Sequence, residues 1–185
     1  MKKIILASSS PRRRELLQTA GLEFEIDVKE VDESIPEGTL PAEAAKITAA
    51  KKAAAVAGTH KNDIVIGADT IVVAGGKILG KPKDEADAEA MLKMLSGIEH
   101  EVITGVCILC GENSQSFAQI SKVKFYDLTD DEIKSYVATR EPMDKAGAYG
   151  IQGRGCTLVE RIEGDYFNIV GLPVAEVYRR INKLK

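Results

Sequence analysis

A chain of 185 residues has the length of one domain with a sizeable core, with room for two lobes. Its 44% hydrophobic and 29% charged residues are ordinary for a globular protein, and a formal net charge of −3 argues against a general nucleic-acid binder. No apolar run approaches the roughly 20 residues of a membrane span. Three cysteines form no framework and the Met1-Lys2-Lys3 start has no apolar leader, so the sequence reads as a cytoplasmic protein with free thiols and no membrane partner.

Lys3–Leu6 is a short β-rich run. Ser8-Ser9-Ser10 follows, and Ser10 is placed to cap a helix whose first position is Pro11, where no N–H is needed. Leu16, Leu17 and Ala20 give that helix an apolar side, and Gly21 stops it. Arg12, Arg13 and Arg14 crowd its first turn. A helix N-terminus already carries partial positive charge, so cations there are unfavourable unless an anion joins them. Serines, free amides and guanidinium forks suit phosphate oxygens; the plainer alternative is a solvated basic start.

Phe24–Val28 alternates as a strand, with Phe24, Ile26 and Val28 on its apolar side. Lys29–Pro41 is an acidic loop, and Pro41–Ala57 an alanine-rich helix closed by Gly58. Asp63–Val73 is apolar enough for a buried central strand. Ala74-Gly75-Gly76-Lys77 is a hairpin turn, Lys77–Leu79 returns, and Gly80-Lys81-Pro82 leaves the sheet. Asp84 caps a helix to Leu95. Glu101–Leu109 and Ser116–Tyr126 read as strands, the second a candidate edge. Thr129-Asp130-Asp131-Glu132 is a capping box for a helix to about Thr139. Glu141–Gly155 reads as a functional loop. Cys156–Ile162 and Tyr166–Val170 read as strands around a Glu163-Gly164-Asp165 turn, and Pro173 opens the last helix.

Asp69 is the sharpest chemical candidate. It sits in Gly67-Ala68-Asp69-Thr70, inside a strand too apolar to welcome a carboxylate, and a buried carboxylate is expensive unless paired or metal-bound. It reads as a metal ligand or a water-activating base, with a salt-bridged carboxylate as the alternative. Asp32 and Glu33 could add a second metal carboxylate, although acidic loops are common. Lys81, between Gly80 and Pro82, could aim at an anion or be an exposed loop lysine. Lys51 and Lys52 read by default as a solvated helix face. Four glycines within Gly147–Gly155 let the backbone wrap a ligand, and Gln152 carries the donor and acceptor that reading a base edge requires. Cys107 and Cys110 read as core residues, because positions three apart on a strand face opposite ways. His60 and His100 look isolated and without a role.

Taken together, Leu6–Leu17, Gly67-Ala68-Asp69-Thr70, Gly80-Lys81-Pro82, Glu141–Gly153, Gly164-Asp165-Tyr166 and Gly171-Leu172-Pro173 resemble the Maf family of nucleoside triphosphate pyrophosphatases. The match runs in order over essentially the whole chain. It implies an α/β fold: a mixed twisted sheet flanked by helices, with a deep active-site cleft, similar to inosine triphosphate pyrophosphatases. It implies a divalent metal, Mg²⁺ or Mn²⁺, and hydrolysis of a nucleoside triphosphate to the monophosphate and pyrophosphate. Asp69 matches the family's proton acceptor, and Ser8, Arg12, Arg13, Lys52, Lys81 and Gln152 match its substrate positions. Arg13, Thr70 and Gln152 match the branch resembling dTTP and UTP hydrolases. Asp69, with Glu33, would hold the metal, and a homodimer is the family-level expectation. Two alternatives share this site: a nucleotide-sensing regulator of septum formation, and a sanitiser of modified nucleotides.

Overall fold

The computed structural model describes residues 2–184; Met1, at the head of the charged start, lies outside them. Seven strands form one mixed sheet. They are β1 (Ile4–Leu6), β2 (Glu25–Ile26), β3 (Ile64–Ala74), β4 (Lys77–Leu79), β5 (Glu99–Cys110), β6 (Asn113–Phe125) and β7 (Val159–Glu163). Their order is β2-β1-β3-β5-β6-β7, with β4 paired to β3. β1 runs parallel to both neighbours, Ile5 opposing Glu25 on one side and Val65 on the other. The β3–β4 and β6–β7 pairs are antiparallel. The helices are α1 (Pro11–Thr19), α2 (Pro41–Ala57), α3 (Glu85–Leu95), α4 (Asp130–Val137), α5 (Tyr166–Val170) and α6 (Val174–Asn182). Among the described residues no helix is long and apolar enough to cross a membrane.

The chain divides into two compact units. One gathers the N-terminal stretch through Thr70, Thr104–Gln119 and the stretch from Gly171 onward; the other gathers Ile71–Ile103 and Ile120–Val170. The core of the first unit forms where α2 lies on the sheet, with Ile5, Ala7, Ala49, Ala53, Val56, Val65 and Cys107 packed together. The alanines matter here. A Cβ on Gly67 would stand 2.2 Å from the Ala49 carbonyl oxygen, and one on Gly105 would stand 2.3 Å from that of Ala45. Helix and strands touch at backbone distance, which only small residues allow.

The second unit is built around α3, α4 and an aromatic group. Thr129 and Glu132 form the expected capping box of α4, whose Ile133, Tyr136 and Val137 are buried. Asp84 accepts the Asp87 N–H and caps α3. His100 is buried, with its ring edge-on to Phe125 and Tyr149 and Nε2 2.8 Å from the Tyr149 hydroxyl. It is therefore a packed core residue of β5 and not the isolated histidine that the sequence suggested. His60 also has partners, Asp27 at 3.1 Å and Asp63 at 3.5 Å.

Five local expectations change. The strand read over Cys156–Ile162 begins only at Val159, because Cys156–Leu158 belongs to a 3-10 turn. Ser10 occupies the N-cap position but its hydroxyl makes no cap bond; its N–H is instead taken by the Ser8 hydroxyl at 3.3 Å. The second strand shrinks to Glu25–Ile26, and Ile26 and Val28 are exposed, because this terminal strand pairs only with β1. β6 is an interior strand, bordered by β5 and β7. Tyr166–Val170 is α5, not a strand. The Asp165 carboxylate accepts the Phe167 N–H and closes a turn. Asn168 then points inward, where its Nδ2 donates to the Val102 carbonyl and to Ser121 Oγ. The local Asp165 turn and the long-range bonds of Asn168 together override the β preference of the aromatic and branched residues around them.

Candidate active site

Three elements of the first unit converge: the start of α1, the middle of α2 and the Asp69-Thr70 step of β3. Of the three arginines, Arg13 goes inside. It is buried, and each of its three guanidinium nitrogens donates a hydrogen bond. Nε donates to the Gly171 carbonyl at 2.8 Å, Nη1 to Ser8 Oγ at 2.9 Å and Nη2 to Thr70 Oγ1 at 3.0 Å. Thr70 Oγ1 in turn lies 2.9 Å from the hydroxyl of buried Thr104. All three acceptors of Arg13 are neutral oxygens. They satisfy the N–H groups without cancelling the charge, and burial pushes the guanidinium pKa down to about 10, against the opposing pull of Asp69. The group remains a cation at neutral pH. Arg12, half-buried beside it, further lowers its proton affinity, and Glu33 raises it. Arg12, Asp69 and Glu33 thus lie within electrostatic reach of one buried cation.

Lys52 forms the second half of this charge arrangement. Its ammonium lies 2.7 Å from Asp69 Oδ1 and 3.1 Å from Glu33 Oε1. The Lys52 and Asp69 side chains are 18% and 17% exposed, while Glu33 is open to solvent at 57%. The default reading of Lys52 as a solvated face is therefore wrong. The helix packs so closely on β3, through Gly67, that the lysine one turn along reaches the strand's carboxylate.

The acidic loop sorts its two candidates. Asp32 turns back on its own loop, accepting from the Ser34 N–H at 2.9 Å and the Ser34 hydroxyl at 2.7 Å, which holds its carboxyl below the usual range. Lys51 fastens the same loop by donating to the carbonyls of Asp32 and Ser34. Glu33 is left to face Lys52. Asp69 and Glu33 are hard oxygen donors converging on a single cation, the ammonium. Among the described residues no group of three or more His, Cys, Asp or Glu gathers to hold a metal by itself. Two carboxylates plus phosphate and water oxygens are the usual donor set of Mg²⁺-like ions, so these residues fit such a group.

Lys81 and Gln152 belong to the second unit, and both are exposed. Lys81 follows Gly80, whose carbonyl accepts the Gly147 N–H at 3.0 Å, so its loop is tied to the glycine-rich segment. That segment is a series of tight 3-10 turns, Glu141–Asp144, Ala146–Ala148 and Gly153–Leu158. Its organiser is Glu141, which the sequence did not single out. The residues beyond sequence reasoning are Glu141, Thr104 and the Gly171 carbonyl. The first and last lie in motifs that carry the family resemblance; nothing local marks Thr104.

A family model described as "Maf-like protein" matches residues 3–184. A "dTTP/UTP pyrophosphatase" of Geobacillus sp. (strain WCH70) is 55% identical over 184 residues, which is 100% of this chain and 99% of that protein. A "dTTP/UTP pyrophosphatase" of Bacillus cytotoxicus is 51% identical over 183 residues, 99% of this chain and 96% of that protein. Among solved structures, the Staphylococcus aureus Ham1 protein superimposes with a TM-score of 0.48 at 16% identity, covering 68% of this chain and 73% of that one.

Proposed function

The chain belongs to the Maf family, and from that premise we propose that it hydrolyses dTTP and UTP to the monophosphate and pyrophosphate. The observation that carries this reading is the ammonium of Lys52 held between Asp69 and Glu33, beside the buried cation of Arg13. Full-length relatives bearing that activity's name support the choice of substrate.

The α-phosphorus of a triphosphate is shielded by anionic oxygens that repel an incoming hydroxide. Arg13, fixed by neutral acceptors, keeps its positive charge available to those oxygens, and Arg12 and Lys52 add to it. Asp69 orients a water and takes its proton as the water oxygen attacks the α-phosphorus. The bond from that phosphorus to the bridging oxygen breaks, and pyrophosphate leaves with its charge held by the same cations. Asp69 and Glu33 would hold a divalent cation, Mg²⁺ or Mn²⁺, which supplies a lowered water pKa and charge neutralisation. Lys52 exchanges a carboxylate partner for a phosphate oxygen when the substrate enters. In this reading Lys81 contacts phosphate, and the Gln152 carboxamide meets the O4 and N3–H edge of thymine or uracil, one acceptor and one donor.

The test is a product-resolved assay with dTTP, UTP, CTP and GTP in Mg²⁺ or Mn²⁺, with an Asp69→Asn variant alongside. The expected products from dTTP are dTMP and pyrophosphate. The variant should lose about a hundredfold or more in kcat while still binding nucleotide, as befits removal of a general base. A chelator should stop turnover. Release of orthophosphate would overturn the assigned reaction, and preference for GTP the assigned substrate.

A further inference from the structure

We infer that Glu141 is a positioning residue for base selection, because its carboxylate is the peg around which the Gly150–Gly155 segment carrying Gln152 is folded. The inference rests on the reading that Gln152 contacts the base.

Both carboxylate oxygens are occupied. Oε1 accepts from the Tyr136 hydroxyl at 3.0 Å and from the Gly155 N–H at 3.1 Å; Oε2 accepts from the Arg154 N–H at 3.0 Å. The Tyr136 hydroxyl also accepts the Gly150 N–H at 3.2 Å. Glu141 and Tyr136 thus grip the segment on both sides of Gln152, at residue 150 before it and at 154 and 155 after it. The glycines show how tight the wrap is. Gly153 has φ +62°, and a Cβ there would stand 2.6 Å from Glu141 Oε2. A Cβ on Gly155 would stand 2.0 Å from the Gly150 carbonyl oxygen. Between these anchors Ile151 is buried, and Gln152 is left exposed on extended backbone, φ −86° and ψ 171°.

The peg is itself fixed. The Glu141 N–H donates to Thr139 Oγ1 at 3.1 Å, and Lys145 Nζ donates to the Glu141 carbonyl. Tyr136 belongs to α4 and is buried. The direction of the Gln152 side chain is therefore inherited from a helix through two side chains. An amide at 141 keeps one acceptor oxygen but turns an NH₂ toward a backbone N–H, so one anchor becomes repulsive. The segment can then relax by a fraction of an ångström while Arg13, Lys52 and Asp69, which belong to the first unit, keep their own hydrogen bonds.

The experiment compares kcat and KM for dTTP and dGTP in wild type, Glu141→Gln, Tyr136→Phe and Gln152→Ala, with thermal melts of each. Glu141→Gln should lower the dTTP-over-dGTP ratio of kcat/KM by about fivefold or more, through KM for dTTP, with kcat within about threefold of wild type. Tyr136→Phe should move the ratio the same way by about two- to threefold. Gln152→Ala should abolish most of the discrimination. A folded Glu141→Gln protein that keeps the ratio within about twofold, while Gln152→Ala loses it, overturns the inference and leaves the base-reading role standing. A Gln152→Ala protein that keeps the ratio overturns the base-reading role, and the positioning role with it. Where Glu141→Gln does not fold, an unchanged ratio in Tyr136→Phe overturns the inference.

Discussion

Arg13 depends on the shape of its side chain as much as on its charge. Its three donors reach oxygens on a serine, a threonine and a carbonyl from three different parts of the chain. A lysine would keep the charge but offers one nitrogen at one point. Arg13→Lys should therefore lose about tenfold or more in kcat/KM for dTTP, a transition-state loss of ~1.4 kcal/mol or more. An unchanged kcat/KM would mean that only charge matters there. The acidic pair offers a second contrast. Glu33→Gln should raise the Mn²⁺ concentration needed for half-maximal activity, because Glu33 shares a cation with Asp69. Asp32→Asn should leave it near wild type, because Asp32 is bonded to Ser34. Equal shifts in a metal titration would contradict that division. Asp69 stood out in the sequence because a carboxylate is anomalous in an apolar strand, and the structure pairs it with Lys52, as the salt-bridge alternative had it. The resemblance set Arg12 and Arg13 apart from Arg14, but the burial of Arg13 was not legible from the residues themselves, since three adjacent arginines on a helix differ only in what the rest of the chain brings to each.

At the scale of elements, the Lys52–Asp69 pair depends on how closely α2 approaches β3. The absence of a side chain at Gly67 brings Lys52 within reach of Asp69, two residues further along the same strand. Gly67→Ala should destabilise the protein by ~1–3 kcal/mol, the usual range for overpacking, since both nearest atoms are backbone and cannot move aside. Thermal melts read the stability, and activity below the transition should fall as well, because the helix must shift before the lysine can pair. A stable, fully active variant would show that the approach is not needed. Most elements were legible from period and punctuation: the capping box before Ile133, the Gly75-Gly76 turn and the Pro11 start all formed as read. Tyr166–Val170 failed because its residues carry a β preference that outweighed the local Asp165 turn, while the bonds of Asn168 go to partners that local sequence does not reveal. The status of β6 failed for a related reason, since an edge is a property of strand order.

At the scale of the whole molecule, the buried His100 gives stability a pH signature. Burial pushes His100 down to about 4, against the opposing effect of Glu99, while an unfolded chain would protonate it near its ordinary 6.5. Between those values the unfolded state binds the extra proton, so stability present above about pH 6.5 is lost as pH falls toward 4. His100→Gln should flatten that part of the Tm–pH curve relative to wild type, and parallel curves would contradict the assignment. Most of the sites that the family resemblance singles out could be named from motifs alone. The hydrogen bonds that orient them, from Glu141, Thr104 and the Gly171 carbonyl, needed the fold, because each joins residues far apart in the chain. Water attack at the α-phosphorus can be followed directly by hydrolysing dTTP in ¹⁸O-labelled water and reading both products by mass spectrometry. The expected result is one labelled oxygen in dTMP and none in pyrophosphate. Label in the pyrophosphate would place the attack on the β-phosphorus and contradict the role given to Asp69 and its surrounding cations.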